Sequence, residues 1–120
     1  MRAAPTVRVR RVYEHRSEED GRRILVDRLW PRGLSKASGD LDEWCKEIAP
    51  SSELRTWYSH DPARFEEFES RYRVELDDPE RANALAHLRE LLAEGSLTLL
   101  TATSRPEISQ AAVLAAILSG

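Results

Sequence analysis

Two short, unbroken apolar runs constrain this chain more than any other feature. Ile24-Leu25-Val26 and Leu97-Thr98-Leu99-Leu100 lack the alternation of a half-exposed strand. Each therefore predicts a strand buried on both faces. Residues 27–96 separate them and carry repeated helical spacing. Two doubly buried strands joined by a helical crossover predict a parallel pair with a right-handed connection. The expectation is one small three-layer α/β domain over residues 1–120. Its short, mostly parallel sheet would have about three or four strands, with helices on both faces. Ligands of such sheets bind beyond the carboxyl ends of the strands. Those ends fall here at residues 27–33 and 101–105, which are polar or charged.

The other elements follow from local pattern. Val7 and Val9 alternate with Arg8 and Arg10, predicting a strand near a sheet edge. Residues 14–21 are polar and end in Asp20-Gly21, a turn signal compatible with a hairpin or with one helical turn. Leu41, Trp44 and Ile48, after the caps Ser38 and Asp40, predict a helix, and Leu54, Trp57 and Tyr58 a second after Ser51-Ser52. Asp61-Pro62 and Asp78-Pro79 each join an N-cap to a proline at the first helical position. The stripes that follow are Phe65, Phe68, Tyr72 and Leu76, then Leu85, Leu88, Leu91 and Leu92, the latter ending at Gly95. Pro106 opens a last helix, apolar almost all round from Ala111 to Leu118, a character that predicts deep packing.

Composition excludes several classes. With 41% hydrophobic residues the chain buries a real core and is not globally disordered. The lone Cys45 makes no internal disulfide and anchors no cysteine-based zinc site; its place on an amphipathic stretch favours a partly buried thiol over a nucleophile. No run of about 18 apolar residues crosses a membrane, and residues 1–6 lack a signal-peptide core, so a cytoplasmic protein is expected. Residues 1–36 hold ten Lys/Arg against five acids, whereas residues 37–120 hold eight against sixteen. A basic end on an acidic body can mark an anion-binding face, although arginines interleaved with Glu18, Glu19 and Asp20 equally describe a solvated surface. Zinc-finger spacing, a basic zipper and an RNA-recognition aromatic motif are all missing, so nucleic acid is not the expected partner.

Candidate ligand-binding residues cluster at the two strand ends. Arg28 and Arg32, four apart around Trp30 and Pro31, can present planar forks to a phosphate or carboxylate beside a flat stacking surface. Asp27 can accept from a ligand or orient Arg28. Ser104 and Arg105 can donate to the same anion, while Ser104 or Thr103 can equally cap the last helix. The competing reading makes 27–33 a structural knot, with Trp30 plugging the core. His60 beside Asp61 invites an acid–base reading, but Ser59-His60-Asp61-Pro62 is also an ordinary turn between helices. His15, His60 and His87 are scattered, so no metal or other cofactor is expected. No phosphate-binding glycine loop, nucleophile elbow or zincin motif occurs.

The run from Arg23 to Gly33 (RILVDRLWPRG), Leu41-Asp42-Glu43-Trp44, Lys46-Glu47-Ile48-Ala49-Pro50-Ser51 and Glu53-Leu54-Arg55 together resemble the YeaO-like branch of the bacterial DUF488 family. The resemblance continues through the Phe65/Phe68/Tyr72 stretch to Leu97-Thr98-Leu99-Leu100. It implies a small soluble bacterial α/β protein and no established reaction. The resemblance also leads one to expect a tyrosine, a lysine and an Asn-His pair where this chain has Thr101, Ser104, Ser109 and Gln110. Catalysis through those groups would then be lost. The leading expectation is an anion or nucleotide site at the strand ends. The alternatives are an enzyme acting on a nucleotide or nucleic-acid component, and an interaction module using the last helix, in a monomer or homodimer.

Overall fold

The structure, a computed structural model, describes residues 4–35 and 40–120. Four parallel strands form one sheet: β1 (Val7–Arg11), β2 (Arg22–Leu25), β3 (Glu43–Trp44) and β4 (Leu97–Thr101), in the order β1-β4-β2-β3. β4 is the pivot. Leu97 aligns with Val7 on one side and with Arg22 on the other, so the two apolar runs are indeed parallel neighbours. All five residues of β4 are buried. A fully buried leucine such as Leu99 or Leu100 contributes about 1.5–3 kcal/mol.

Strand alternation sorts side chains onto two unlike faces. Val7, Val9, Ile24, Leu97 and Leu99 meet the main core. That core is supplied by α1 (Ser52–Tyr58), α2 (Phe65–Glu75), α3 (Pro79–Glu94) and α4 (Gln110–Ser119). The opposite face carries Leu25 and Leu100 under Trp30, Leu34, Leu41 and Trp44. Both faces are covered, but unequally: every α-helix contributes to one face, while a 3-10 turn (Glu18–Asp20) and the loop after β2 cover the other.

That turn packs a buried charge cluster against the second face. Asp20 and Arg23 are both fully enclosed, and Asp20 accepts from Arg23 at 2.7 Å, Arg10 at 2.8 Å and Arg8 at 3.2 Å. Gly21 follows at φ +62, where a Cβ would lie 2.1 Å from the Ser96 carbonyl oxygen, so only glycine fits.

Residues 41–48 do not form the predicted helix. They give β3 and a 3-10 turn (Lys46–Ile48), because the backbone of β2 captures the segment: Asp42 N–H donates to Arg23 O and Cys45 N–H to Leu25 O, each at 2.8 Å. Three apolar residues at helical spacing could not outweigh an open sheet edge. Of the two expected caps, Ser38 lies outside the described residues and Asp40 accepts from Arg16 at 2.9 Å instead. The last helix is also interrupted. Pro106–Ile108 forms a 3-10 turn, and Ser109 at φ −100, ψ 170 precedes α4, so neither Thr103 nor Ser104 is its N-cap. The helices at Ser51, Asp61-Pro62 and Asp78-Pro79 start where their caps predict, with a short 3-10 turn ahead of α2. Among the described residues no helix is long and apolar enough to cross a membrane.

Candidate functional site

Beyond Leu25 the chain stays beside β4 for one more residue, Val26 N–H donating to Leu100 O at 3.1 Å. Asp27 then turns its carboxylate toward the end of β4. One oxygen accepts from Thr101 Oγ1 at 2.8 Å and Gln110 Nε2 at 2.7 Å, and the other from Ala102 N–H at 2.8 Å. Burial pushes this carboxyl up; the three donors and the nearby His60 pull it back, and the net effect is upward. Three of roughly four acceptor positions are thus filled by the protein itself.

The following loop is held from several sides. Trp44 Nε1 donates to Asp27 O at 2.8 Å, and Trp30 Nε1 to Leu34 O at 2.6 Å. The two indoles meet edge to face with centroids 5.3 Å apart. Tyr13 donates its hydroxyl to Arg32 O at 3.0 Å, while Arg11 straps Thr103 O at 3.0 Å and Ala102 O at 3.3 Å. Both strand ends are therefore fixed by residues of β1 or just beyond it.

Between them opens a cleft of about 660 Å³, floored by Asp27, Thr101 and Gln110. Its third wall is the end of α1 and the turn after it, including Arg55, Tyr58 and His60. Tyr58 stacks on Phe68 at 4.2 Å and donates to Ile108 O at 2.6 Å, which fixes that wall. Ser59 and His60 both adopt left-handed backbone, at φ 47 and φ 55. Consecutive non-glycine residues in that region are uncommon and cluster at sites that need a particular side-chain aim.

Asp27, Arg28, Trp30 and Arg32 all line this cleft. Ser104 and Arg105 do not; both are exposed, and Arg105 Nε lies 3.6 Å from Glu107. The guanidinium groups of Arg28 and Arg32 make no ion pair or hydrogen bond with a described residue. Arg55 donates to Ser52 Oγ at 3.1 Å, but its Nε is buried without any partner. Three guanidinium groups thus surround a floor with one carboxylate. No group of three or more His, Cys, Asp and Glu side chains among the described residues is placed to hold a metal.

Arg55, His60 and Gln110 complete the site but were not assigned to it from sequence. Nothing local marks Arg55, since its relevance depends on how α1 packs across the strand ends. The left-handed turn that places His60 is unannounced by any glycine.

Fold and site together define a small parallel-sheet α/β protein with a basic cleft at the carboxyl ends of its strands. The chain belongs to the DUF488 family: residues 6–120 match the group described as "Inactive DUF488-N3 subclade". It is 52% identical over 114 residues to the uncharacterized protein Rv3073c of Mycobacterium tuberculosis, covering 95% of this chain and 94% of that protein. It is 39% identical over 109 residues to the uncharacterized protein YeaO of Escherichia coli, covering 91% and 93% respectively. No solved structure matches the chain significantly.

Proposed function

We propose that this protein binds a small anion or nucleotide in the cleft and performs no reaction there. The observation that carries this reading is the pair of guanidinium groups of Arg28 and Arg32, which have no partner among the described residues and line one cavity with Arg55. Cations gathered in one place repel unless an anion lies among them. Trp30 adds an indole surface for a flat ligand. The absence of a reaction is supported by the state of Asp27, whose oxygens are engaged by Thr101, Ala102 and Gln110. Thr101 and Gln110 stand where the family resemblance leads one to expect a tyrosine and a histidine. Gln110 keeps a hydrogen bond to Asp27 but supplies no titrating ring. The subclade's description as inactive agrees with this.

The interaction-module reading has less support, because the apolar character of α4 serves its own core: Ala111, Val113, Leu114 and Leu118 are buried within the chain. Calorimetric titration of sulfate, phosphate and nucleotides at low salt tests the proposal. Binding should weaken as salt rises. It should fall in Arg28→Ala, and also in Arg32→Lys, where the charge stays but the planar fork is lost. No binding to any of these anions would remove the reading, and turnover of a nucleotide would remove its non-catalytic half.

A further inference from the structure

A second, smaller cavity of about 170 Å³ opens behind the cleft, lined by Arg28, Pro50, Ser51, Ser52, Arg55 and Arg81. Arg28 and Arg55 line both cavities, so they form a shared wall rather than two separate sites. Resting on the anion-binding reading of the cleft, we infer that this small cavity is a phosphate subsite. The cleft's ligand is then a phosphomonoester, with its phosphate among Arg28, Arg55 and Arg81 and its flat, uncharged body in the cleft beside Trp30.

The acids seen to contact the small cavity's lining residues are already occupied. Glu75 accepts from the Ser51 N–H at 2.8 Å and the Ser51 hydroxyl at 2.5 Å, so it faces the serine and not an arginine. Asp78 reaches Arg81 Nη1 only at 3.4 Å from an exposed position, and it also caps α3. Arg81 Nε is fixed by Ala49 O at 2.9 Å, which holds the rest of the guanidinium at the cavity wall. Arg28 has no partner among the described residues, and Arg55 spends one N–H on Ser52 Oγ at 3.1 Å. Three arginines and no carboxylate therefore line a space of about six water volumes.

The number of forks selects the head group. A carboxylate offers two oxygens and satisfies one bidentate fork. A phosphomonoester offers three terminal oxygens and close to two negative charges, which suits three guanidinium donors. The size difference between the cavities assigns the parts, since the small one holds a compact head and the larger one has aromatic walls in Trp30, Tyr58 and Phe68.

The test uses adenosine 5′-monophosphate, adenosine and inorganic phosphate as probes, titrated into the wild type, Arg81→Ala and Arg81→Lys by calorimetry at low salt. Arg81 lines the small cavity and not the cleft, so it separates the two sites. The monophosphate should bind at least tenfold more tightly than adenosine or phosphate alone. Arg81→Ala should weaken monophosphate and phosphate at least tenfold and leave adenosine within twofold. Arg81→Lys, which retains the charge and serves if the alanine variant loses its fold, should weaken monophosphate at least threefold. Monophosphate affinity within twofold of wild type in both variants overturns the subsite. If Arg32→Ala then still abolishes binding, the cleft reading stands alone. Equal loss of adenosine and monophosphate in Arg81→Lys also overturns the subsite, since the effect would not be confined to the phosphate. No binding of any probe to the wild type overturns both readings.

Discussion

Replacing Asp20 with asparagine should cost about 3–5 kcal/mol at pH 7, the scale for removing one partner of a buried ion pair. The carboxylate is fully enclosed and accepts from Arg23, Arg10, Arg8 and Ser17. Arg8 and Arg10 retain some solvent, so losing their partner adds little. Arg23 decides the magnitude, because it is 0% exposed. Its other bonds are to carbonyls, Asp40 O at 2.5 Å and Glu14 O at 2.7 Å, which satisfy N–H groups but carry no net charge. Asparagine keeps the shape and removes the carboxylate in contact with that cation, leaving it only the more distant charges of Glu14 and Asp42. Against a total stability of about 5–15 kcal/mol for a domain, the loss is large enough to read by urea unfolding as a lower midpoint at unchanged slope.

The same residue predicts a pH signature. Burial pushes the Asp20 carboxyl up, but the Ser17 N–H, Arg23 and Arg10 outweigh it and hold the group well below the ordinary carboxylate range. The unfolded carboxyl titrates near ~3.9, so the stability Asp20 supplies is complete above that and drains as pH falls further. The gap between wild type and Asp20→Asn should therefore narrow on acidification below about pH 4. A difference under about 1 kcal/mol at pH 7, or a gap that stays constant into acid, would show that Arg23 finds solvent or another counter-charge.

Three further outcomes follow from the core and the cleft. Phe68, 1% exposed and stacked between Tyr58 and Tyr72, should cost about 3–5 kcal/mol when cut to alanine; a loss below about 1 kcal/mol by denaturant titration would mean the ring lies elsewhere. Asp27 has its carboxyl pushed up by burial, so ionising it disfavours the folded state as pH rises through its folded value. Asp27→Asn should consequently gain on wild type between pH 3 and pH 7, whereas Asp27→Ala, which strands the Ala102 N–H, should lose about 1–3 kcal/mol; a flat pH difference for the asparagine variant would contradict this. Burial, with help from Glu43 and Glu47, pushes the Cys45 thiol up to about 12, so a disulfide reagent at pH 8 should label it only after unfolding; rapid labelling of the native protein would refute its burial.

The fold was readable where one residue pattern had one physical solution. Ile24 and Leu97 mark strands because a short apolar run between polar turns has no other economical burial, and the caps at Ser51 and Asp78 mark helix starts through a named hydrogen bond each. Residues 41–48 misled because Leu41, Trp44 and Ile48 satisfy a helical spacing that the edge of β2 overrides with backbone bonds. At the site, Asp27, Arg28, Trp30 and Arg32 stood out through an unusual local run. Arg55 and Arg81 did not, and His60 stood out only as an acid–base candidate apart from the strand ends, since each reaches the cavities through tertiary packing of a helix or turn distant in sequence.

The arginine-rich first third shows why charge density alone is a poor guide to a binding face. Eight of its ten basic residues are described, and six of those are engaged within the chain. Arg8, Arg10 and Arg23 converge on Asp20, Arg16 reaches Asp40 and Asp42, Arg22 pairs with Glu94, and Arg11 holds two carbonyls of the loop after β4. Strand alternation explains the first group: Arg8 and Arg10 take the positions of β1 opposite Val7 and Val9, so they fall on the face where the 3-10 turn delivers Asp20. Of the interleaved acids only Asp20 is buried in this cluster; Glu14 and Glu19 touch its arginines from exposed positions, and Glu18 stays at the solvated surface. Arg28 and Arg32 are what remains, and both lie beyond the end of β2, where no strand partner can supply a carboxylate. Among the described residues, the arginines of this segment left without a partner thus sit at one end of the sheet, the end at which parallel α/β sheets receive their ligands.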